Sequence, residues 1–208
     1  MTLQSLSDAE LREALLLKER LELLKKQETC QEGFMDFIEH IWPEFICGRH
    51  HKIFAQKLED IATGKINRLI VNMPPRHTKS EFASTYFPAW VMGRFPNKKI
   101  MQTTHTGELA VRFGRKVRNL MDTEEYSAVF PDVTLSADSK SAGRWETNKG
   151  GEYFAAGVGG AITGRGADLL IIDDPHSEQD ALSMTAMEGA WEWYTSGPRQ
   201  RLQPKGAI

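Results

Sequence analysis

The sequence predicts an α/β protein built on a mostly parallel central sheet, and two stretches decide that class. Arg68–Ser80 reads RLIVNMPPRHTKS. Leu69, Ile70 and Val71 form a short apolar run with β-branched members, expected of a strand buried on both faces of a parallel sheet. Pro74 and Pro75 stop that strand because they lack the N–H a ladder needs. Lys79 and Ser80 then open EFASTYFPAWVMG, whose apolar residues have helical spacing. Downstream, Ala167–Pro175 reads ADLLIIDDP. Leu169–Ile172 make a second buried strand that delivers Asp173 and Asp174 at its C-terminal end, where open α/β sheets gather their ligand chemistry.

A strand, a tight turn and a helix opening with Lys-Ser have the layout of a phosphate-binding loop. Turn amides and a helix N-terminus hold oxyanions, the lysine neutralises phosphate charge, and the serine hydroxyl ligates magnesium. Met73 and Thr78 stand where the two glycines of G-x-x-x-x-G-K-[ST] belong. Taken alone, therefore, the stretch reads equally well as a proline-capped strand before a basic helix start. The acidic pair changes the balance: one carboxylate at a strand end can hold magnesium, and its neighbour can orient an attacking water. Together the two elements favour a nucleotide triphosphatase over a solvated turn.

The remaining elements follow in order. With 208 residues the chain buries one good core, or one core plus a small appendage. A net charge of −2 gives no overall pull toward nucleic acid or membrane, and no apolar run approaches the length of a transmembrane helix. Residues 1–30 read as one helix, with Ser7 and Glu10 as a capping box and a leucine face expected to dock on the same chain. Gly33 breaks it, and FMDFIEHIW begins an aromatic-rich helix ended by Pro43. Cys30 and Cys47 are too few for a disulfide scaffold and indicate a reduced, intracellular protein. Cys47, His50 and His51, with His40 upstream, lack the paired spacing of a zinc site. HKIFAQKLEDIATG is an amphipathic helix ended by Gly64, on which Gln56 is either a surface glutamine or an adenine reader. Residues 1–63 are thus expected to be a helical segment packing on a core formed by residues 64–208.

After the loop helix, KKIMQTTHT reads as a strand running into a polar turn. GELAVRFGRKVRNLM is a helix carrying Arg112, Arg115, Lys116 and Arg118. Such a run is either a solvated face or a phosphate-backbone contact for DNA, salt-dependent and sequence-independent. Ser127–Lys149 gives little signal beyond a short strand around Trp145, and GEYFAAG reads as a strand. The glycine-rich GVGGAITGRGAD sets Arg165 shortly before the acidic pair, either as a solubilising charge or as a finger for transferring phosphate.

PPRHTKS, then TTHT with GRKVRN, then TGRGADLLIIDDP and WYTSGPRQRLQPKGAI resemble the ATPase half of a terminase large subunit. That is the DNA-packaging motor of tailed bacteriophages, and the resemblance spans about residues 34 to 208. It implies a three-layer P-loop NTPase of the additional-strand, RecA-like class. Such a domain uses ATP and Mg2+ to push double-stranded DNA through the portal protein into a procapsid. It further implies a terminase small subunit as partner, self-association into a ring on the portal, and action in the host cytoplasm without a membrane. Pro75, Arg76, His77, Thr78, Lys79, Ser80 and Glu81 would line the nucleotide. Lys79 would contact the β- and γ-phosphates, Arg76 would sense the γ-phosphate, and Ser80 and Asp173 would ligate magnesium. Arg165 matches the arginine that acts on a neighbouring subunit's ATP.

Two departures from the family stand out. Its usual glycine is replaced by Thr78, so a β-branched residue must take up the turn. Its usual catalytic glutamate is replaced by Asp174, one methylene shorter. Position favours Asp174 as the water-orienting base, with Glu178 as the alternative. The resemblance also implies a coupling motif and a nuclease domain beyond Ile208, so the chain reads as an isolated ATPase domain of slow turnover. Competing readings are a helicase- or translocase-like ATPase, a nucleotide-binding module without catalysis, and a structural assembly protein organised by the N-terminal helix.

Overall fold

The computed structural model describes residues 7–137, 141–162 and 164–208. Its centre is a five-stranded sheet in the order β2-β3-β1-β4-β5. The strands are β1 (Lys99–Thr104), β2 (Arg144–Glu146), β3 (Glu152–Gly157), β4 (Ala167–Ile172) and β5 (Leu202–Ala207). All neighbours run parallel except β2, which pairs antiparallel with β3. β1 lies in the middle, its Ile100 paired with Tyr153 on one side and Leu169 on the other. The predicted α/β class, mostly parallel, is what forms.

Alternation along the strands divides the core between two faces. Ile100, Tyr153, Ala155, Leu169 and Ile171 belong to the larger cluster, shared with the helices before β1 and with α6 (Gly107–Met121). Met101, Ala156 and Leu170 face the other way, where Tyr194 of α7 (Met184–Ser196) packs. Helices thus cover both faces, compatible with three layers.

The larger cluster is aromatic. It joins α2 (Phe34–Ile41) and α3 (Arg49–Ala62) to the helical stretch that follows the loop. Phe34 sits edge-on to Phe82 and Phe87 at 5.7 and 5.5 Å, the favoured geometry for paired quadrupoles. The segment before residue 64 therefore shares its core with the rest. The loop helix is α4 (Lys79–Glu81), a π-turn (Phe82–Tyr86) and α5 (Phe87–Arg94) in succession. The wide turn contains Ser84, four residues before Pro88, whose ring cannot tolerate an α-helical carbonyl at that position.

Two expectations need correction. Leu69–Val71 is not a strand buried on both faces. Two hydrogen bonds, Leu69 N–H to the Ile208 carbonyl (2.9 Å) and Ile208 N–H to the Asn67 carbonyl (3.0 Å), tie the segment beside β5. Ile70 is 87% exposed while its neighbours are half-buried, so the segment behaves as a sheet edge. The N-terminal helix α1 (Asp8–Glu32) keeps its capping box, with Ser7 N–H donating to Glu10 Oε2 at 2.7 Å, but it does not dock a leucine face. Leu15, Leu16 and Leu17 are consecutive and thus spread around the helix, roughly 100° apart at 3.6 residues per turn. All three are exposed, and Cys30 is the buried residue of the helix. Residues 1–6 of that expected helix lie outside the described residues.

Candidate functional site

The site lies at the C-terminal ends of β1 and β4, where the loop before α4 meets them. Asp173 N–H donates to the Thr103 carbonyl at 2.9 Å, and His105 N–H donates to the Asp174 carbonyl at 3.2 Å, fixing the acidic turn against the end of β1. The two carboxylates then part company. Asp173 is buried, and its Oδ2 accepts a hydrogen bond from Ser84 Oγ at 2.8 Å; Gln102 Nε2 donates to the same Ser84 oxygen at 3.0 Å. Asp174 takes a left-handed φ of 45° and turns outward, where Lys79 Nζ donates to its Oδ1 at 2.6 Å. The two motifs, 95 residues apart in sequence, therefore meet through a direct ion pair.

The loop itself is strained at two points. Arg76 has φ 63° and Thr78 φ 59°, both left-handed, and the latter is a genuine outlier for a β-branched residue. His77 Nδ1 lies 2.9 Å from the Pro75 carbonyl and must carry a proton to bond it. Thr78 caps the helix in the conformation that glycine usually supplies. Ser80 follows, half-buried. Glu81 is held by Lys116 in an ion pair, so Lys116 reaches back to the loop helix rather than out to solvent.

Two hollows meet at Asp174. A cavity of about 420 Å3 runs between the Leu69–Asn72 segment and β4, lined by Lys79, Asp173 and Asp174 together with Phe54, Leu58 and Phe87. A wider, open depression of about 810 Å3 brings Asp174 together with His105, His176 and Glu178. Asp180, beside it, is held below the usual carboxylate range by hydrogen bonds from the Ser177 hydroxyl and amide.

No family model matches this chain, and no curated protein does. The geometry alone therefore sorts the expected residues. Lys79, Asp173 and Asp174 converge, with Glu178 on the rim beyond Asp174. Gln56 does not join them: it is exposed, and its amide lies 3.4 Å from both Glu59 and Asp60 of its own helix. Arg165 is corrected as a finger for the site in its own chain. It precedes β4, whereas the acids follow it, a separation of about 20 Å at the rise of a strand. Arg165 instead pairs with Glu152 and lies over the Phe154 ring, 4.4 Å from its centroid. On α6, Arg112 and Arg115 are exposed, and Arg118 donates to Asn119 Oδ1 at 3.4 Å.

Among the described residues, no group of three or more His, Cys, Asp and Glu is placed to hold a metal ion. Magnesium asks for less: one or two protein oxygens, with water and substrate phosphate completing the octahedron. The carboxylate of Asp173 and the hydroxyl of Ser80 are hard oxygen donors that fit this demand. Sequence reasoning missed Ser84, Gln102 and His51. Ser84 follows Ser80 by one helical turn, and Gln102 interrupts an otherwise apolar strand entry, so a signal existed for both. His51, weighed in the sequence only as a zinc ligand, instead meets the loop, its Nε2 2.8 Å from Thr78 Oγ1.

Proposed function

We propose that the chain is a P-loop ATPase, the motor domain of a terminase large subunit that uses ATP and magnesium to drive double-stranded DNA into a procapsid. The observation that carries the ATPase reading is the Lys79–Asp174 ion pair at 2.6 Å, with Asp173 buried behind it at the same strand ends. A lysine at a loop that opens a helix, meeting paired acids at the C-terminal end of a parallel strand, suits phosphoryl transfer to water. A second observation supports the additional-strand class: β5 lies between β4, which bears the acids, and the Asn67–Leu69 segment leading into the loop. DNA, the portal protein, the small subunit and the ring rest on the resemblance.

In this reading Lys79 exchanges Asp174 for phosphate oxygen when nucleotide enters, and the freed Asp174 turns to the attacking water. Asp173 and Ser80 would hold magnesium, which neutralises phosphate charge when bound. Arg76, exposed on the loop, would reach the γ-phosphate, and Arg165 is left for a neighbouring subunit's nucleotide.

The test is magnesium-dependent ATP binding by calorimetry, comparing the wild type with Lys79→Ala. Binding by the first and not the second supports the reading; binding by neither defeats it. A second reading, a nucleotide-binding module without turnover, is favoured by Met73 and Thr78 standing where the loop glycines belong. Phosphate release by a chain that binds ATP would exclude it.

A further inference from the structure

The standard phosphate loop spends a glycine at the position of Thr78 because that residue must be left-handed. Here a threonine adopts φ 59° and ψ 12°. A β-branched side chain resists that conformation, so something in the surroundings must over-determine it.

The neighbour in question comes from α3. His51 is 7% exposed, and its ring is gripped between Phe45 and Phe82, with centroids 4.7 and 5.4 Å away. Its Nδ1 accepts the Gly48 N–H at 2.9 Å, which closes the first turn of α3. A nitrogen that accepts from a backbone amide carries no proton, so in the neutral ring the proton sits on Nε2. Nε2 lies 2.8 Å from Thr78 Oγ1 and donates to it. The Thr78 hydroxyl passes its own proton on to the His77 carbonyl at 2.7 Å. Every donor in this relay finds an acceptor with one tautomer and no conflict.

We propose that His51 is a positioning residue for the phosphate loop, holding Thr78 in the left-handed conformation through Nε2–H so that a threonine does the work of the missing glycine. This deepens the ATPase reading and rests on it for its consequence in nucleotide binding. It does not rest on it for the contact itself. Burial, together with the neighbouring His50 and His77, pushes the His51 imidazole below the usual histidine range, so the neutral ring that the relay needs is the favoured one. His51 need not touch nucleotide. Its effect reaches the phosphates through the loop amides that Thr78 orients.

The experiment is a double-mutant cycle on the full chain: wild type, His51→Ala, Thr78→Gly and the pair. Glycine takes the left-handed turn unaided, so it should make His51 dispensable. Calorimetry with magnesium and ATPγS is expected to show binding weakened about tenfold by His51→Ala beside Thr78. In the Thr78→Gly background the same change should cost less than about twofold. Thermal unfolding of the four proteins should show the same coupling without nucleotide. His51→Gln, which retains a donor near the Nε2 position, should recover part of the loss. An equal cost of His51→Ala in both backgrounds would reduce His51 to a core residue and overturn the proposal.

Thr78→Val guards against a His51→Ala chain that fails to fold, because it removes the hydroxyl and leaves the buried ring in place. It should reproduce the weakened binding, and unchanged binding would equally overturn the proposal. If no variant binds nucleotide, the ATPase reading fails. The unfolding cycle then still decides the His51–Thr78 coupling by itself: coupled upholds it, additive overturns it.

Discussion

Asp174 and Glu178 share one depression but differ in their partners, and that difference makes their roles separable. Asp174 is paired with Lys79, so removing its charge frees the lysine for phosphate while depriving the attacking water of a base. Asp174→Asn should leave ATP binding intact or tighter and lower kcat by about 100-fold, the usual worth of a positioned base. Glu178→Gln should change kcat by less than about threefold. Steady-state phosphate release and ATP calorimetry on both variants check this, and the reverse ranking would transfer the role to Glu178. His51 gives a pH dependence of definite sign. Its imidazole is pushed below the usual histidine value by burial and by the facing His50 and His77. The unfolded chain therefore binds the proton more readily than the folded one. The stabilisation is complete above the unfolded value and is lost as pH falls through the lowered one. Unfolding midpoints measured from about pH 7.5 down to about pH 5 should fall in the wild type and fall less in His51→Gln.

At the scale of elements, the helix α6 illustrates what a sequence reveals and what it hides. Its length and its buried stripe of Ala110, Phe113, Val117 and Met121 follow from spacing alone. The fate of its cations does not, because that depends on what lies across from each. Lys116 meets Glu81 from the loop helix, whereas Arg112 and Arg115 reach toward solvent. The same limit explains the other misses. The strands β3 and β4 were legible because their apolar runs are dense, and Leu69–Val71 looks like them in composition. Only its place at the edge, beside β5, leaves Ile70 in water. Arg165 sits close to Asp173 in sequence, but a strand runs between them and carries them to opposite ends of the sheet. If α6 faces DNA, Arg112→Glu with Arg115→Glu should reduce the dependence of log K on log salt by about two phosphate contacts. Lys116→Ala should change it little, its charge being already engaged. Fluorescence anisotropy with a duplex across a salt series reads both, and an unchanged slope in the double variant would remove α6 as the contact.

For the molecule as a whole, the question is how much of the chain the core needs. The aromatic cluster around Phe34, Phe82, Phe87 and Trp90 binds the helices α2 and α3 to the sheet layer, so residues 34–63 are not an appendage in energetic terms. The dependence begins abruptly within α1. From Ser7 to Lys26 its side chains are exposed, leucines included, whereas Gln27 and Gln31 both donate to the Val129 carbonyl, and Cys30 is buried. The Cys30 carbonyl also accepts the buried indole N–H of Trp90 at 3.0 Å. Removing residues 1–24 should therefore shift the thermal midpoint by no more than about 2 °C, since exposed side chains contribute within about 0.5 kcal/mol. Removing residues 1–33 strips the acceptor from Trp90 as well. An unpaired buried donor costs about 1–3 kcal/mol before the lost apolar contacts around Cys30 are counted. Differential scanning calorimetry of the two truncations should thus show a near-native midpoint for the first and a clearly lowered one for the second. Equal destabilisation by both would mean that the exposed leucines of α1 are covered in solution and belong to the folded unit after all.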